Sequence, residues 1–388
     1  MIYFFILLLF LSALYATFIV WCWFGWRKLR EYIPEEREFR TRVSVVIPVR
    51  NEEKNVEACL LSVIRQQYPV AQVEIIVSDD HSDDGTEEIV QTIIQKFPSH
   101  RILFLRNDIR MSGTFFKKQA ITSAIEQASG ELIVTTDADC TMSEQWLSAI
   151  VSHYEKEHPA MIAGPVCIHN ENNAVEKFQA LEFAGLIAIG AGAISNGRPV
   201  MCNGANLAYT KKVFREVNGF AGLHGTPSGD DTQLMEKIAR NDPQRIHFLK
   251  SREAIVFTPA VSSIHALVQQ RKRWASKIPG QMSVITLLVA SIAWLLHTGL
   301  IIIFFKVFFD PSWLFMTALV LLIKIIPELL LLASILSFFD RRKLIWLFVP
   351  AQLIYPFYIF FVGVLSPFGS YRWKGRKIKS PGTRITIG

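Results

Sequence analysis

The sequence predicts an α/β domain with a mostly parallel sheet, tied to a membrane by long apolar helices at both ends of the chain. Three observations carry this. Between about residues 43 and 136, β-branched runs alternate with amphipathic helical patterns, the signature of β-α-β units with right-handed connections. Residues 1–26 hold no charged side chain and are long enough to span a bilayer. Three more apolar runs follow Pro279.

The composition agrees with this division. Charged residues make up 19% and apolar ones 51% of 388 residues, too apolar for an ordinary soluble enzyme and too polar for an all-membrane protein. The formal charge is +7. Its basic residues cluster beside the apolar segments and in the tail, so the expected partner is a membrane surface, and no nucleic-acid-binding motif occurs. Five cysteines, odd in number and without C-x-x-C spacing, give neither a disulfide framework nor a zinc site and fit a reduced cytosolic setting. The expected layout is an N-terminal anchor (1–26), the α/β domain (40–280), C-terminal transmembrane helices (281–370) and a basic tail (371–388). Arg27, Lys28 and Arg30 follow the first apolar run, so the positive-inside rule places the next domain in the cytoplasm and the protein in the membrane as an integral component.

In order, Val43-Ser-Val-Val-Ile-Pro48-Val is a strand leading through Arg50-Asn51-Glu52 into a helix with Val56, Leu60, Val63 and Ile64 on one face. Val73-Glu-Ile-Ile-Val-Ser78 repeats the plan and ends in Asp79 and Asp80. Ile102 to Leu105 is a third strand, Lys117 to Ala128 a helix, and Glu131 to Thr136 a fourth strand ending in Asp137-Ala-Asp139. Strand alternation points both acids the same way, at the sheet edge where α/β folds bind ligands. They either share a divalent cation or form a solvated acidic turn.

These segments resemble the family 2 glycosyltransferases of the GT-A fold. The resemblance rests on Val-Ser-Val-Val-Ile-Pro-Val-Arg-Asn-Glu, Asp-Asp-His-Ser-Asp-Asp-Gly-Thr, Asp-Ala-Asp, Gly229-Asp230-Asp231 and Gln270-x-x-Arg273-Trp274, in order over residues 43 to 274. It implies a donor-nucleotide site at Pro48, Arg50, Glu52, Asp80, Lys117 and Asp137. Asp80 would accept the N3–H of uracil, leaving Asp79 structural. Lys117 or Lys118 stands where the family often has Gly-Lys, with Phe116 in place of the glycine. Asp137 and Asp139 would hold Mg²⁺ or Mn²⁺ against the diphosphate. Asp231 would be the general base of an inverting displacement, beside Asp230 where the family more often has Glu. Asn203, Gly204, Asp230, Gln270, Arg273 and Trp274 would complete the acceptor and diphosphate side. The plainer readings are helix-capping acids and, for 270–274, a juxtamembrane basic and aromatic belt.

Residues 175–193 are either an interfacial helix guiding a lipid acceptor or part of the core, with Glu182 given no role. Lys324 and Glu328, one helical turn apart in the second C-terminal run, are either functional or a self-neutralising pair. Three full C-terminal spans would leave a basic tail outside. Leu344 to Phe368, interrupted by Pro350, Pro356 and Pro367, is therefore the run expected to be broken or re-entrant. The resulting expectation is a metal-dependent, inverting transferase moving a sugar from a UDP-sugar to a lipid acceptor at the cytoplasmic face. Its layout resembles ceramide glucosyltransferases. The rivals are a subunit of a processive polysaccharide synthase and a non-catalytic scaffold.

Overall fold

A computed structural model describes residues 2–35, 38–107, 116–221, 229–275, 284–365, 370–374 and 376–379. The elements in chain order are α1 (Ile2–Lys28), β1 (Val43–Val49), α2 (Val56–Ile64), β2 (Val73–Asp79), α3 (Thr86–Lys96), β3 (Arg101–Arg106), α4 (Phe116–Gln127) and β4 (Leu132–Thr135). Then come β5 (Thr141–Met142), α5 (Trp146–Glu157), β6 (Met161–Ala163), β7 (Val166–His169), α6 (Ala174–Ser195), β8 (Leu207–Thr210), α7 (Lys211–Glu216) and α8 (Asp230–Asn241). The last are β9 (Ile246–Phe248), β10 (Val256–Pro259), α9 (Ile264–Ala275), α10 (Val284–Phe309), α11 (Leu314–Phe338), α12 (Phe348–Leu365), β11 (Ser370–Trp373) and β12 (Arg376–Lys379). They form two compact units. Leu29–Asn170 and Gly197–Ala260 make a sheet unit; Met1–Lys28, Glu171–Asn196 and Val261–Gly388 make a helical unit.

The sheet unit is built on a seven-stranded sheet of order β3-β2-β1-β4-β8-β6-β9. β1 to β4 are mutually parallel, whereas β8 runs antiparallel to β4 and β6. β1 is buried along almost its whole length, as expected of a parallel strand covered on both faces. The chain winds outward from β1 to β3 and then restarts on the other side at β4. That reversal creates the crevice where α/β sheets bind ligands. Buried Glu74 pins the opposite edge through Ser44 Oγ at 2.5 Å and the backbone of Ser129 and Gly130.

In the helical unit, α1 packs against α6, α10 and α11. Leu8, Leu11, Leu296, Leu300, Ile303, Trp313 and Val320 form its apolar core. α1 and α6 cross in backbone contact: a Cβ on Gly192 would lie 2.0 Å from the Cys22 carbonyl oxygen, and one on Gly25 would lie 2.1 Å from that of Gly192. Small residues at such a crossing are a membrane-helix device. Among the described residues, five stretches are long and apolar enough to cross a membrane: α1, α6, α10, 311–338 and 342–365.

Two findings here differ from the sequence reading. Leu344 to Phe368 is not broken at its prolines, because α12 runs unbroken over Phe348–Leu365. Pro350 falls in its first turn, where an N–H has no intrahelical partner, and Pro356 is accommodated within the helix; Pro367 lies outside the described residues. Second, α6 and α9, both within 40–280, pack in the helical unit. α6 leaves the sheet unit after β7 and returns to it at β8, which pairs with β4 and β6.

Candidate active site

The first two loops at the carboxyl edge are stitched to each other. Arg50 Nη1 donates to the carbonyls of Asp80 and His81 at 2.5 and 2.8 Å. Asn51 and Asp83 exchange hydrogen bonds, Nδ2 to Oδ1 at 2.5 Å and N to Oδ1 at 3.0 Å. Glu52 is buried; its N–H meets Thr86 Oγ1 at 2.8 Å and its Oε2 accepts from Asn55 at 2.9 Å. Asp79 accepts from the N–H and hydroxyl of Ser82, a turn-holding role. Asp80 is buried, with its N–H on Val49 O at 2.9 Å and His81 Nδ1 3.2 Å from its carboxylate. Arg50 and Glu52 thus fix the loop backbone around Asp80.

Asp137 and Asp139 lie on a turn, not in the strand. The pairing of β4 with β1 and with β8 ends at Thr135 on both sides, and Cys140 N then donates to Asp137 O at 3.1 Å. Strand alternation therefore does not set their directions. Lys117 Nζ lies 2.7 Å from Asp137 Oδ1. Burial alone would depress this lysine, but Asp137, Asp230 and Asp231 outweigh it and hold its pKa above the ordinary value. Its neighbour Lys118 is buried and donates to Gln233 Oε1 at 2.7 Å, tying α4 to α8. The thiols of Cys59 and Cys140 are pushed up by burial and by the Asp137 and Asp139 carboxylates, so they stay protonated beside the acids.

α8 supplies the other acids. Gly229 takes φ +86°, a left-handed turn that favours glycine, and starts the helix at Asp230. Two carboxylates in the first turn suit the positive end of the helix dipole. Asp231 Oδ2 accepts from Gly204 N at 3.0 Å, and its Oδ1 accepts from Thr232 N at 2.7 Å. Asp230 is buried, and burial, with Asp231 and Asp137 adding to it, raises its pKa despite Lys117. Asn203 Oδ1 caps the Gly204 turn through Ala205 N at 3.0 Å.

Pro48, Lys117, Thr136, Asp137, Gly204, Asp230 and Asp231 converge on one cavity of about 300 Å³. Arg50, Glu52, Asp80, Asp139 and Asn203 stand outside its wall. The sequence reading passed over Asn206, which is buried and accepts from Trp146 Nε1 at 3.0 Å. Its Nδ2 donates to Pro165 O and Ala254 O at 2.8 and 2.7 Å. Its only sequence signal was its place in Asn203-Gly-Ala-Asn206.

Among the described residues, no three His, Cys, Asp or Glu side chains gather as a complete metal site. Oxygen-only donors at Asp137 and Asp139 nevertheless suit a hard cation such as Mg²⁺ or Mn²⁺, which takes one or two carboxylates and completes its shell with phosphate and water.

Gln270, Arg273 and Trp274 lie on α9, in the helical unit. There Arg271, not Arg273, is the buried cation. Its Nη2 pairs with Glu182 Oε2 at 2.5 Å, its Nε donates to Tyr358 OH at 2.7 Å, and that hydroxyl donates to Glu182 Oε1 at 2.9 Å. Gln270 Oε1 accepts from Arg271 Nη1 at 2.7 Å. The guanidinium carbon sits 4.1 Å from the Trp274 ring centroid, and Trp274 packs 6.1 Å from Phe183.

A mostly parallel sheet with acids and a lysine converging at its switch point is the architecture of a GT-A glycosyltransferase. The same fold appears in the mannosyltransferase PcManGT from Pyrobaculum calidifontis, solved with GDP-Man and Mn²⁺: TM-score 0.54, 18% identity, covering 90% of this chain and 99% of that one. The chain belongs to glycosyl transferase family 21, whose sequence model matches residues 4–385; the motifs alone had pointed to family 2. Curated relatives include glycosyltransferase AglE of Haloferax volcanii, 33% identical over 140 residues, 36% of this chain and 44% of that protein. Another is the undecaprenyl-phosphate 4-deoxy-4-formamido-L-arabinose transferase of Yersinia enterocolitica, 31% identical over 150 residues, 37% of this chain and 42% of that protein. Each match spans less than half of the relative.

Proposed function

We propose that this chain transfers a sugar, with inversion, from a nucleotide-sugar donor of the UDP type to a lipid acceptor at the cytoplasmic face of a membrane. The observation that carries this is the joining of two things in one chain: a cavity lined by Lys117, Asp137 and Asp231, and a unit of long apolar helices. The lipid-linked chemistry in the name of the Yersinia relative agrees with it.

Asp231 takes the proton of the acceptor hydroxyl, its carboxylate held by the Gly204 and Thr232 N–H groups so that one orientation is kept. Asp230, its pKa raised by burial, lies beside it in the same first turn. Lys117 offsets the charge of the leaving diphosphate. A divalent cation bound at Asp137 and Asp139 would supply further electrostatic stabilisation of that leaving group. The PcManGT structure, solved with GDP-Man and Mn²⁺, supports divalent metal use.

The sheet unit faces the cytoplasm in this reading. Basic residues follow both α1 (Arg27, Lys28, Arg30) and α11 (Arg341, Arg342, Lys343), as the positive-inside rule requires. Both ends of the segment containing α12 then lie on that side. Arg341 before it pairs with Glu171 at 2.8 Å, beside the start of α6, and β11 after it packs near α9. α6 and α9 each begin within a few residues of the sheet unit. In this reading the basic tail stays inside, the unbroken α12 lies along the membrane face, and α6 is an interfacial helix, since both its ends return to the sheet unit.

The test is nucleotide release by the full chain in detergent, with Mg²⁺ or Mn²⁺, across UDP-sugars, with and without extracted membrane lipids, beside Asp231→Asn. Lipid-dependent release that falls about 10²–10⁴-fold in the variant, with donor binding kept, is expected. Donor binding without lipid-stimulated release, or equal turnover in the variant, refutes the proposal.

A further inference from the structure

Two threonines line the cavity that holds Lys117, Asp137 and Asp231, and the fold uses the hydroxyl of only one. Thr135 ends the β4 ladder, and its Oγ1 lies 3.0 Å from Gly204 O and 3.3 Å from Leu207 O. That contact ties β4 to the segment carrying Asn203 and Gly204. Thr136, the next residue, is fully buried, and its N–H donates to Val46 O at 3.3 Å. Its hydroxyl has no hydrogen-bond partner among the described residues. A buried hydroxyl left unpaired keeps its full desolvation cost, and folded proteins pair the large majority of such atoms. Valine has the same branched shape without that cost, so packing alone does not explain a threonine at this position.

The rest of the wall narrows what the hydroxyl meets. Asp137, Asp230 and Asp231 face one cation, Lys117, whose Nζ lies 2.7 Å from Asp137 Oδ1. Ionised carboxylates accept hydrogen bonds and do not donate them. Such a wall suits a ligand rich in O–H groups, and it sets like charge against a phosphate everywhere except beside Lys117. Ile121, Leu207 and Leu234 add apolar surface. A ligand hydroxyl that gives its proton to a carboxylate still has lone pairs to satisfy, and the Thr136 O–H is a donor able to meet them.

We propose that Thr136 is a sugar-binding residue of the donor site: its hydroxyl donates to a ring hydroxyl of the transferred sugar, which in turn donates to a carboxylate of the same cavity. The inference rests on the nucleotide-sugar reading above and adds to it a residue that contacts the sugar and not the nucleotide. Stability and binding then pull in opposite directions at one atom. The hydroxyl is a cost to the free chain and a contact in the complex.

The test is Thr136→Val in the full chain in detergent. Titration calorimetry with Mg²⁺ or Mn²⁺ compares UDP with UDP-glucose, UDP-galactose and UDP-N-acetylglucosamine, and tryptophan fluorescence on heating gives the unfolding midpoint without ligand. The variant should bind the parent's tightest UDP-sugar about five- to tenfold more weakly, the worth of one neutral hydrogen bond. Its UDP affinity should change by less than about twofold, and its midpoint should hold or rise, because an unpaired buried hydroxyl has been removed. Thr136→Ser keeps the hydroxyl and should regain most of the sugar affinity. Thr136→Ala serves as the hydroxyl-free variant if valine does not fold. Unchanged UDP-sugar affinity would leave the hydroxyl to water, equal losses for UDP and UDP-sugar would put the contact on the nucleotide, and a lower midpoint with sugar binding kept would make the hydroxyl a structural group. Each of these overturns the proposal. A parent chain that binds UDP but no UDP-sugar, or none of the four, refutes the nucleotide-sugar reading itself and this inference with it.

Discussion

Removing the charge of Glu182 should destabilise the helical unit far more than a typical surface change. The Glu182 and Arg271 side chains are only 7% and 5% exposed, 2.5 Å apart, and share Tyr358 as a third member. In Glu182→Leu the guanidinium stays buried with only the Tyr358 hydroxyl and the Gln270 amide as oxygen partners among these contacts. Breaking a buried pair in this way costs about 3–5 kcal/mol, whereas replacing both partners by apolar residues is often close to neutral. At roughly 2–4 °C per kcal/mol for a unit of this size, Glu182→Leu should lower the unfolding midpoint by about 6–20 °C. Glu182→Leu with Arg271→Met should recover most of that loss. The assay is intrinsic tryptophan fluorescence on heating the purified chain in a single detergent. A midpoint within about 2 °C of the parent for Glu182→Leu, or strictly additive losses in the double variant, would refute the buried-pair reasoning.

Gly192→Leu should disrupt the α1–α6 crossing, because even a Cβ meets the Cys22 carbonyl at 2.0 Å; overpacking costs of about 1–3 kcal/mol or more are expected, read as a lower midpoint in the same assay. His153 lies 3.1 Å from His247, and burial with that neighbour lowers its pKa to about 4. Below its ordinary value of 6.5 the unfolded chain gains a proton that the folded chain refuses, so stability is lost as pH falls from about 6.5 towards 4. His153→Gln should flatten that part of a midpoint-against-pH curve, and an unchanged slope would show that His153 does not set it. Lys117→Met should weaken nucleotide-sugar binding, measured by calorimetry, since Asp137, Asp230 and Asp231 then meet the diphosphate without their cation; unchanged affinity would place Lys117 outside donor recognition.

What could be read from the sequence was local in origin. The β-α-β order followed from alternation of short patterns, and the resemblance carried Asp137 and Asp231 to what is one cavity. Strand alternation gave no ground for the direction of Asp137 and Asp139, because it holds only while the ladder continues, and that stops at Thr135 where both neighbours end. Lys117 and Lys118 are adjacent and identical in type; only packing sends one to the cavity and the other to Gln233. Lys324 and Glu328 do pair along their own helix, as their one-turn spacing allowed, but Arg271, the partner of Glu182, and Tyr15, the further donor to Glu328, lie far away in sequence, and no periodicity encodes such pairings. Prolines were over-read as breaks, although Pro350 falls in a helical first turn where none is needed.

The route of α6 bears on how the protein is made. Because the chain leaves the sheet unit at Asn170 and rejoins it at Gly197, β8 and the Asp231 helix are synthesised only after an apolar segment has already emerged. α6 has α1 waiting, but α9, α11 and α12, which also pack on it, come later in the chain. The last residues of the sheet unit are made by Ala260, whereas the helical unit waits for the segments from Val261 onward. Trimming the chain at residue 260 would therefore yield no water-soluble catalytic fragment, only a sheet with a long greasy helix stripped of half its cover.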